Sequence, residues 1–160
     1  MSMEDIRTVA GLVKKAKIAL LTTRTTEGKL VSRPLAVQEV EFDGDLWFFS
    51  KDPSHKTEQI SRDPQVNVAM QAGMTDYVSI SGHAEVMHDR SRVDEYWSPA
   101  VEAFFPDGKD DPELSLVVVH ADTAEYWKSD DPTVVTMFKL AKSSVTGEHP
   151  DAGTNKTLDL

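Results

Sequence analysis

The sequence predicts a mainly β protein, a small antiparallel β-barrel with helices packed around its outside. Short stretches of alternating apolar and polar residues are separated by turn residues at intervals of roughly 8–12 residues, as in small barrels. Strands and helices do not alternate regularly, and no Gly-x-Gly-x-x-Gly motif occurs, which argues against a Rossmann fold. A chain of 160 residues has the length of one domain and buries enough surface to need neither a disulfide nor a metal.

The N-terminal third is predicted to hold one helix and three strands. Apolar residues recur at helical spacing from Ile6 to Ala16, after an acidic first turn and with the basic pair Lys14 and Lys15 in the last. Alternation predicts strands over 18–23, over 30–37 with an extension through 38–42, and over 46–50. A proline at position 34 is typical of an edge strand or a barrel rim, and Asp43-Gly44 indicates a hairpin turn joining the second and third strands.

The remaining elements are predicted from caps and alternation. Asp52-Pro53-Ser54 is typical of a helix start, with Asp52 or Ser54 as the cap and Pro53 at the first helical position. The elements expected next are a helix to about residue 61, strands over 65–72 and 77–86 with a bend at Gly82, helices over 89–97 and 99–105, and a buried strand over 114–127. A last helix is expected from Asp131-Pro132 to Gly147. We therefore expect one domain over residues 1–147 and a flexible polar tail over 148–160.

Composition excludes several classes of function. The absence of cysteine rules out disulfide scaffolds, cysteine nucleophiles, iron–sulfur clusters and thiolate zinc sites. The net charge of −10 argues against a nucleic-acid-binding surface, although residues 1–33 carry seven basic and three acidic residues. No apolar run approaches the roughly 18 residues of a membrane span, and the N-terminus has no signal-peptide pattern, so we expect a soluble cytoplasmic protein. The histidine spacings match no metal motif, and no metal site is predicted.

The segment 47–56 carries the strongest chemical signal. An aromatic strand ends at Ser50, and a tight loop leads to a helix start with Ser54, His55 and Lys56. Unpaired backbone N–H groups and the helix dipole attract anions there, and Lys51 adds a further cation. The alternative is that Ser54 only caps the helix and the lysines are solvated.

Arg33 is a second candidate for an anion site. It precedes a proline in a strand that is otherwise lined by apolar residues. A guanidinium in such a strand can bind a phosphate in a forked geometry. The alternative is an ordinary surface arginine on the polar face of the strand.

The residues that carry both signals also resemble a known family. The ordered motifs are Leu30-Val31-Ser32-Arg33-Pro34-Leu35, the Asp43-Gly44 turn, Trp47-Phe48-Phe49-Ser50, Ser54-His55-Lys56, Asp63-Pro64-Gln65-Val66, Ser79-Ile80-Ser81-Gly82-His83-Ala84-Glu85 and Glu125-Tyr126-Trp127. Together they resemble the pyridoxamine-phosphate-oxidase-like proteins, which are FMN-binding split barrels, and in particular their bacterial general stress protein branch. The resemblance implies a homodimer with FMN sites at the subunit interface.

The resemblance also implies which residues form the flavin site. Arg33, Ser54, His55 and Lys56 would hold the FMN phosphate, and Phe49 and Ser50 would line the flavin and its ribityl chain. Tyr77, Ser79 and Trp127 would come from the partner subunit. No catalytic acid or base is implied.

Departures from the family pattern bear on the reaction. Gln38 stands where the oxidases have a lysine, His55 where they have an arginine, and no arginine follows Arg92, so pyridoxamine-phosphate oxidase activity is not expected. The leading hypothesis is an FMN-dependent oxidoreductase of unknown substrate. The alternatives are a non-enzymatic flavin-binding stress module or sensor, and a dimeric scaffold that has lost its ligand.

Overall fold

The computed structural model describes residues 2–129 and 154–160. Helices and strands follow one another in the order α1 Met3–Lys15, β1 Ile18–Arg24, β2 Leu30–Ala36, β3 Asp45–Lys51, α2 His55–Arg62, β4 Gln65–Ala72, β5 Asp76–Met87, α3 Arg90–Tyr96, α4 Pro99–Phe104, β6 Leu114–Lys128 and β7 Thr154–Asp159. No helix in this part of the chain is long and apolar enough to cross a membrane. The last helix predicted over 131–147 lies outside the described residues.

Three of the helices begin at side-chain caps formed by Ser2, Ser54 and Asp89. The hydroxyl of Ser2 accepts from the backbone N–H of Asp5 at 3.1 Å, and the carboxylate of Asp89 accepts from two N–H groups of α3. Ser54 caps α2, so Pro53 precedes the cap rather than occupying the first helical position. These bonds satisfy donors that the first helical turn otherwise leaves unpaired.

The strands form one antiparallel sheet of seven strands. The order β2-β1-β4-β5-β6-β3 places β2 and β3 at the two ends, and β7 also pairs with β6. β6 is long enough to pair with β3 through one half and with β7 through the other, while β5 runs along its opposite edge. β2, which contains Pro34, therefore lies at an edge, as the sequence predicts.

The larger of two apolar clusters joins the sheet to α1. Alternate side chains of β1, β4, β5, β6 and β3 point into one core, which α1 closes with Val9, Leu12 and Val13. A second, smaller cluster lies under α3 and α4 and contains Phe49 and Leu116. The mainly antiparallel β architecture with flanking helices is the predicted fold class.

The bend predicted at Gly82 is confirmed as a bulge between β5 and β6. The pairing register shifts between Ser81 and Gly82. A Cβ atom at Gly82 would overlap the backbone carbonyl oxygen of His120, so only glycine permits this close approach.

The predicted hairpin at Asp43-Gly44 is wrong. β2 pairs with β1, β3 pairs with β6, and residues 38–42 are not a strand. The pairing with β6 sets Leu46 opposite Val119 and Phe48 opposite Val117 inside the core, which outweighs the local turn signal. Gly44 instead leads the chain into β3 with φ of +116°, and its carbonyl accepts from the N–H of Ala121 at 2.8 Å.

The predicted flexible tail is wrong for residues 154–159. They form β7, in which Leu158 is buried and the ammonium of Lys156 lies 2.7 Å from the carboxylate of Asp5 on α1. The backbone ladder with β6 stabilises this mostly polar strand, and one buried leucine does not produce a recognisable alternation. Residues 148–153 lie outside the described part of the chain.

Candidate functional site

Arg33 on β2 and Lys56 on α2 lie close enough to repel each other, next to the contact of α2 with β1. The outer residues of β2 are exposed, whereas Arg33 is half-buried and turned inward. Its guanidinium donates to the hydroxyl of Thr23 at 2.6 Å, to the carbonyl of Leu21 at 3.3 Å and to the side-chain carbonyl of Gln59 at 3.1 Å. Because Gln59 belongs to α2, these bonds hold the arginine at a fixed place beside the helix.

The described part of the chain places no counter-charge beside Arg33 or Lys56. Within residues 2–129 and 154–160, no carboxylate oxygen lies within 4.0 Å of either cation. Burial lowers the pKa of Arg33, and burial together with the charge of Arg33 lowers the pKa of Lys56. Two adjacent half-buried cations are unfavourable alone, and an anion placed between them would relieve the repulsion.

The first turn of α2 adds backbone donors next to Lys56. The hydroxyl of Ser54 accepts from the N–H of Thr57 at 3.3 Å, and the hydroxyl of Thr57 accepts from the N–H of Ser54 at 2.9 Å. The N–H groups of His55 and Lys56 donate to no protein group in the described part of the chain. The side chain of Ser54 therefore acts as a cap, and the donors open to an anion are two backbone N–H groups at the positive end of the helix dipole. The side chain of His55 is exposed beside them.

Phe49 and Ser50 are buried, and their side chains already contact other groups of the chain. The ring of Phe49 packs edge-on against Trp97 at 5.8 Å and against Phe105 at 6.1 Å between centroids. The hydroxyl of Ser50 donates to the carbonyl of Lys51 at 3.0 Å, and the carbonyl of Ser50 accepts from the hydroxyl of Ser115. No hydrogen bond joins Phe49 or Ser50 to the Arg33–Lys56 pair.

Phe49 also lines a cleft next to β2, the edge strand of the sheet. The cleft has a volume of about 760 Å³ and lies between residues 34–40 and residues 95–105 of α3 and α4. It begins at Pro34, directly after Arg33, and includes Gln38. The amide nitrogen of Gln38 donates to the carbonyl of Ala36 at 3.3 Å.

Tyr77, Ser79 and Trp127 lie on the opposite, outer face of the sheet. Tyr77 and Trp127 are cross-strand partners on β5 and β6, and the hydroxyl of Ser79 accepts from the amide of Asn67 at 2.9 Å. They border an open apolar surface that includes Ile18 and Leu20, each about half exposed. In one chain the structure does not bring these three residues to the Arg33–Lys56 pair.

Lys51 is a cation that the sequence analysis placed in the anion site and the structure does not. Its ammonium lies 2.5 Å from Asp111, 3.3 Å from Asp107 and 4.0 Å from Glu113. Its hydrogen bond to Asp111, followed by the one to Asp107, raises its pKa. Lys51 therefore anchors the acidic loop between α4 and β6.

Thr23 and Gln59 are site residues that sequence reasoning missed. They hold Arg33 from β1 and α2, and Thr23 also donates to Gln59 at 2.6 Å. Polar residues at inward positions, such as Thr23 at the end of an otherwise apolar β1 face, are the signal that marks them.

Comparisons with known proteins identify the family. The family model described as pyridoxamine 5′-phosphate oxidase like matches residues 4–151. Protein bli-3 of Neurospora crassa is 29% identical over 168 residues, covering 98% of this chain and 79% of that protein. General stress protein 26 of Bacillus subtilis is 30% identical over 88 residues, covering 52% of this chain and 62% of that protein.

A solved structure supports the same relationship. It is described as the general stress FMN/FAD binding protein of Xanthomonas citri, and it is 26% identical with a TM-score of 0.71. The alignment covers 82% of this chain and 93% of that one. Sequence and fold thus agree, and the chain belongs to the pyridoxamine 5′-phosphate oxidase-like family.

Proposed function

We propose that this chain binds FMN, with the phosphate at the Arg33–Lys56 pair, and serves as a flavin-dependent oxidoreductase. The observation that carries the proposal is the pair itself, two half-buried cations that repel each other and have no carboxylate within 4.0 Å in the described part of the chain. A terminal phosphate dianion supplies the charge that this place lacks. Membership of the family, and the flavin binding named for the Xanthomonas citri relative, support a flavin as the bearer of that phosphate.

Each residue of the site has a separate part in holding the phosphate. Arg33, held in place by Thr23 and Gln59, offers a planar fork of N–H donors, and Lys56 offers a compact point charge. The free N–H groups of His55 and Lys56 add directional donors at the start of α2. These donors suit the terminal phosphate of FMN, a dianion, better than the pyrophosphate of FAD, in which the same phosphate has one ester bond, one anhydride bond and a single charge.

FMN, when bound, supplies the electron-accepting ring. The protein binds and orients it, and the buried Phe49 and Ser50 give a rigid wall at the end of β3. The backbone of these two residues, rather than their engaged side chains, would face the ribityl chain.

The outer face of the sheet supports a homodimer. Tyr77, Ser79 and Trp127 lie on the face opposite to the Arg33–Lys56 pair, beside exposed Ile18 and Leu20. In a two-fold dimer this face of one subunit would complete the flavin site of the other. Sedimentation of the full chain should give twice the chain mass, whereas a flavin-loaded monomer would contradict this arrangement. The cytoplasmic location expected from the sequence stays a prediction.

A non-enzymatic flavin-binding module is the second candidate. The two arginines of α3 are already engaged: Arg90 donates to the carbonyls of Lys109 and Asp111, and Arg92 lies over the ring of Trp47. No arginine follows them in the sequence. This favours a protein that holds flavin without binding a second phosphorylated substrate.

The test is the visible absorption spectrum of the purified chain before and after incubation with FMN and desalting. We expect retained flavin at about one per chain in the wild type and none in Arg33→Gln, because a charge-assisted hydrogen bond is worth roughly 1.5–3 kcal/mol. Arg24→Gln is the matched control, since Arg24 is an exposed arginine on β1 paired with Asp63.

A wild type that retains no flavin after reconstitution would overturn the proposal. Retained flavin that cycles with a chemical reductant and an electron acceptor supports the oxidoreductase. Retained flavin that no reductant or oxidant changes supports the binding module.

A further inference from the structure

We propose that a group of side chains on the outer face of the sheet binds a divalent cation of the zinc class through two imidazole nitrogens and one carboxylate. This group, hereafter the histidine cluster, consists of Asp45, His83, Glu85, His120 and Asp122. In the described part of the chain no member is hydrogen-bonded to Arg33 or Lys56, so the inference does not depend on flavin binding.

The two histidines lie directly opposite each other on neighbouring strands. His83 of β5 pairs with His120 of β6, and their ring centroids are 5.2 Å apart. Side chains opposed in this way on antiparallel strands are near enough for both to reach one ion. On its other edge β6 sets His120 opposite Asp45 of β3. The register shift at Gly82 passes over Asp122 in the pairing with β5, and the bulge directs its carboxylate towards His83.

A carboxylate holds each imidazole through the same ring nitrogen. Nδ1 of His120 lies 2.7 Å from the carboxylate of Asp45, and Nδ1 of His83 lies 3.3 Å from that of Asp122. Histidines that bind metals donate their second ring N–H to such a partner, which fixes the tautomer and the orientation of the ring. Because Nδ1 is engaged in both rings, the Nε2 atoms are the ones left for a cation.

Glu85 supplies the third donor. It follows His83 by two residues on β5, so both side chains point to the same face. Its carboxylate lies 3.4 Å from Nε2 of His120. This separation exceeds the roughly 2.7–2.9 Å of a charge-assisted hydrogen bond and matches the about 3.3–3.4 Å between two ligands of one tetrahedral zinc ion.

The ring of His83 must turn before all three donors reach one cation. Among the described residues, no three such side chains already surround a common metal position. The side chain of His83 is 50% exposed, so its rotation displaces water rather than packed core atoms. Water would complete the coordination, as it does at zinc sites with three protein ligands.

The charge and the donor types of the cluster favour a transition metal. Three carboxylates surround the two imidazoles, and within residues 2–129 and 154–160 no lysine or arginine lies within 4.0 Å of any of the three. Imidazole nitrogens suit zinc, copper and nickel, whereas magnesium and calcium prefer oxygen donors alone. The spacing of histidines along the sequence does not show this site, because its two rings come from different strands.

The test is a calorimetric titration of Zn²⁺ into the full chain, freed of flavin and of metals by a chelator. We expect one Zn²⁺ per chain and no comparable binding of Mg²⁺. His83→Gln should weaken Zn²⁺ binding at least about 30-fold because it removes a ligand, and Asp122→Asn about ten-fold because it removes an orienting partner. His88→Gln is the matched control, since His88 is an exposed histidine that pairs with Asp52 at 2.7 Å outside the cluster, and its effect should stay below about two-fold.

A second measurement counts the nitrogen ligands. Bound Cu²⁺, which also prefers imidazole, gives an electron paramagnetic resonance spectrum that is split by each nitrogen it contacts. We expect splitting from two nitrogens in the wild type and from one in His83→Gln.

The absence of Zn²⁺ binding, equal losses in His83→Gln and His88→Gln, or a copper spectrum with fewer than two nitrogens in the wild type would overturn the proposal. Mg²⁺ binding as tight as that of Zn²⁺ would contradict the nitrogen ligands. One Zn²⁺ per two chains would also overturn it, since the ion would then bridge subunits instead of the two strands.

Discussion

Two lysines at the ends of one short loop have opposite surroundings. Lys51, at the end of β3, has three carboxylates within 4.0 Å, and its pKa is raised. Lys56, in the first turn of α2, faces Arg33, and its pKa is lowered. In the sequence both look like donors for an anion, but of the two only Lys56 has no carboxylate within 4.0 Å among the described residues.

The difference shows what makes a basic residue a binding site. An anion approaching Lys51 would compete with Asp107, Asp111 and Glu113, which are already in place. An anion approaching Lys56 would meet two cations and two free N–H groups in a half-buried setting, where charges are less screened than in water. Half-burial of two cations that have no carboxylate within 4.0 Å in the described part of the chain, rather than the presence of charge, distinguishes the candidate site from Lys51.

The largest expected difference in FMN affinity is the one between removing Lys56 and removing Lys51. Lys56→Gln should weaken FMN binding roughly 30-fold, because one charge-assisted contact of about 2 kcal/mol is lost. Lys51→Gln, the matched control, should leave the dissociation constant within about two-fold, since Lys51 already serves the acidic loop. Fluorescence titration of flavin measures both, and similar losses in the two variants would contradict the comparison.

A carboxylate introduced beside Arg33 should also weaken flavin binding, because it would compete with the flavin phosphate for the guanidinium. Gln59→Glu places a carboxylate where the side-chain carbonyl of Gln59 now accepts from Arg33 at 3.1 Å. The new ion pair should raise the thermal midpoint of the flavin-free chain and weaken FMN about ten-fold. Gln65→Glu, at an exposed position of β4 outside the surface bordered by Tyr77 and Trp127, adds the same charge away from the pair and should change neither quantity. An unchanged FMN affinity in Gln59→Glu would argue against a phosphate at this place.

The smallest expected effect is the pH dependence of binding. Burial and Arg33 lower the pKa of Lys56, so the lysine loses its charge at a lower pH than an ordinary lysine. FMN affinity should therefore fall a few-fold as pH rises from about 7.5 to about 10, a range in which the FMN phosphate stays a dianion. Lys56→Arg keeps its charge throughout and should flatten the curve, and superimposable curves for the two proteins would count against the assignment.

Local signals predicted most elements of the fold. Helical spacing and an acidic first turn predicted α1, alternation predicted β4 and β5, and the glycine at position 82 marked the bend. Local sequence patterns do not show which strands pair with each other. The choice of β6 over β2 as the partner of β3 depends on apolar contacts made far along the chain, and β7 has too few apolar residues to show a period.

Of the candidate site, the sequence predicts the two cations but not the residues that surround them. Arg33 and Lys56 follow from a strand proline and a helix start, but their neighbours come from elsewhere in the sequence. Thr23 and Gln59 contact Arg33 across 10 and 26 residues, and Asp111 reaches Lys51 across 60. The sequence thus places the charges, while tertiary structure decides which of them stay uncompensated.

The most direct test of this account compares FMN with riboflavin, which lacks only the phosphate. If the Arg33–Lys56 pair holds that phosphate, the wild type should prefer FMN roughly 100-fold, and the Arg33→Gln, Lys56→Gln double variant should bind the two within about three-fold. Equal binding of FMN and riboflavin by the wild type, or a full preference for FMN in the double variant, would contradict it.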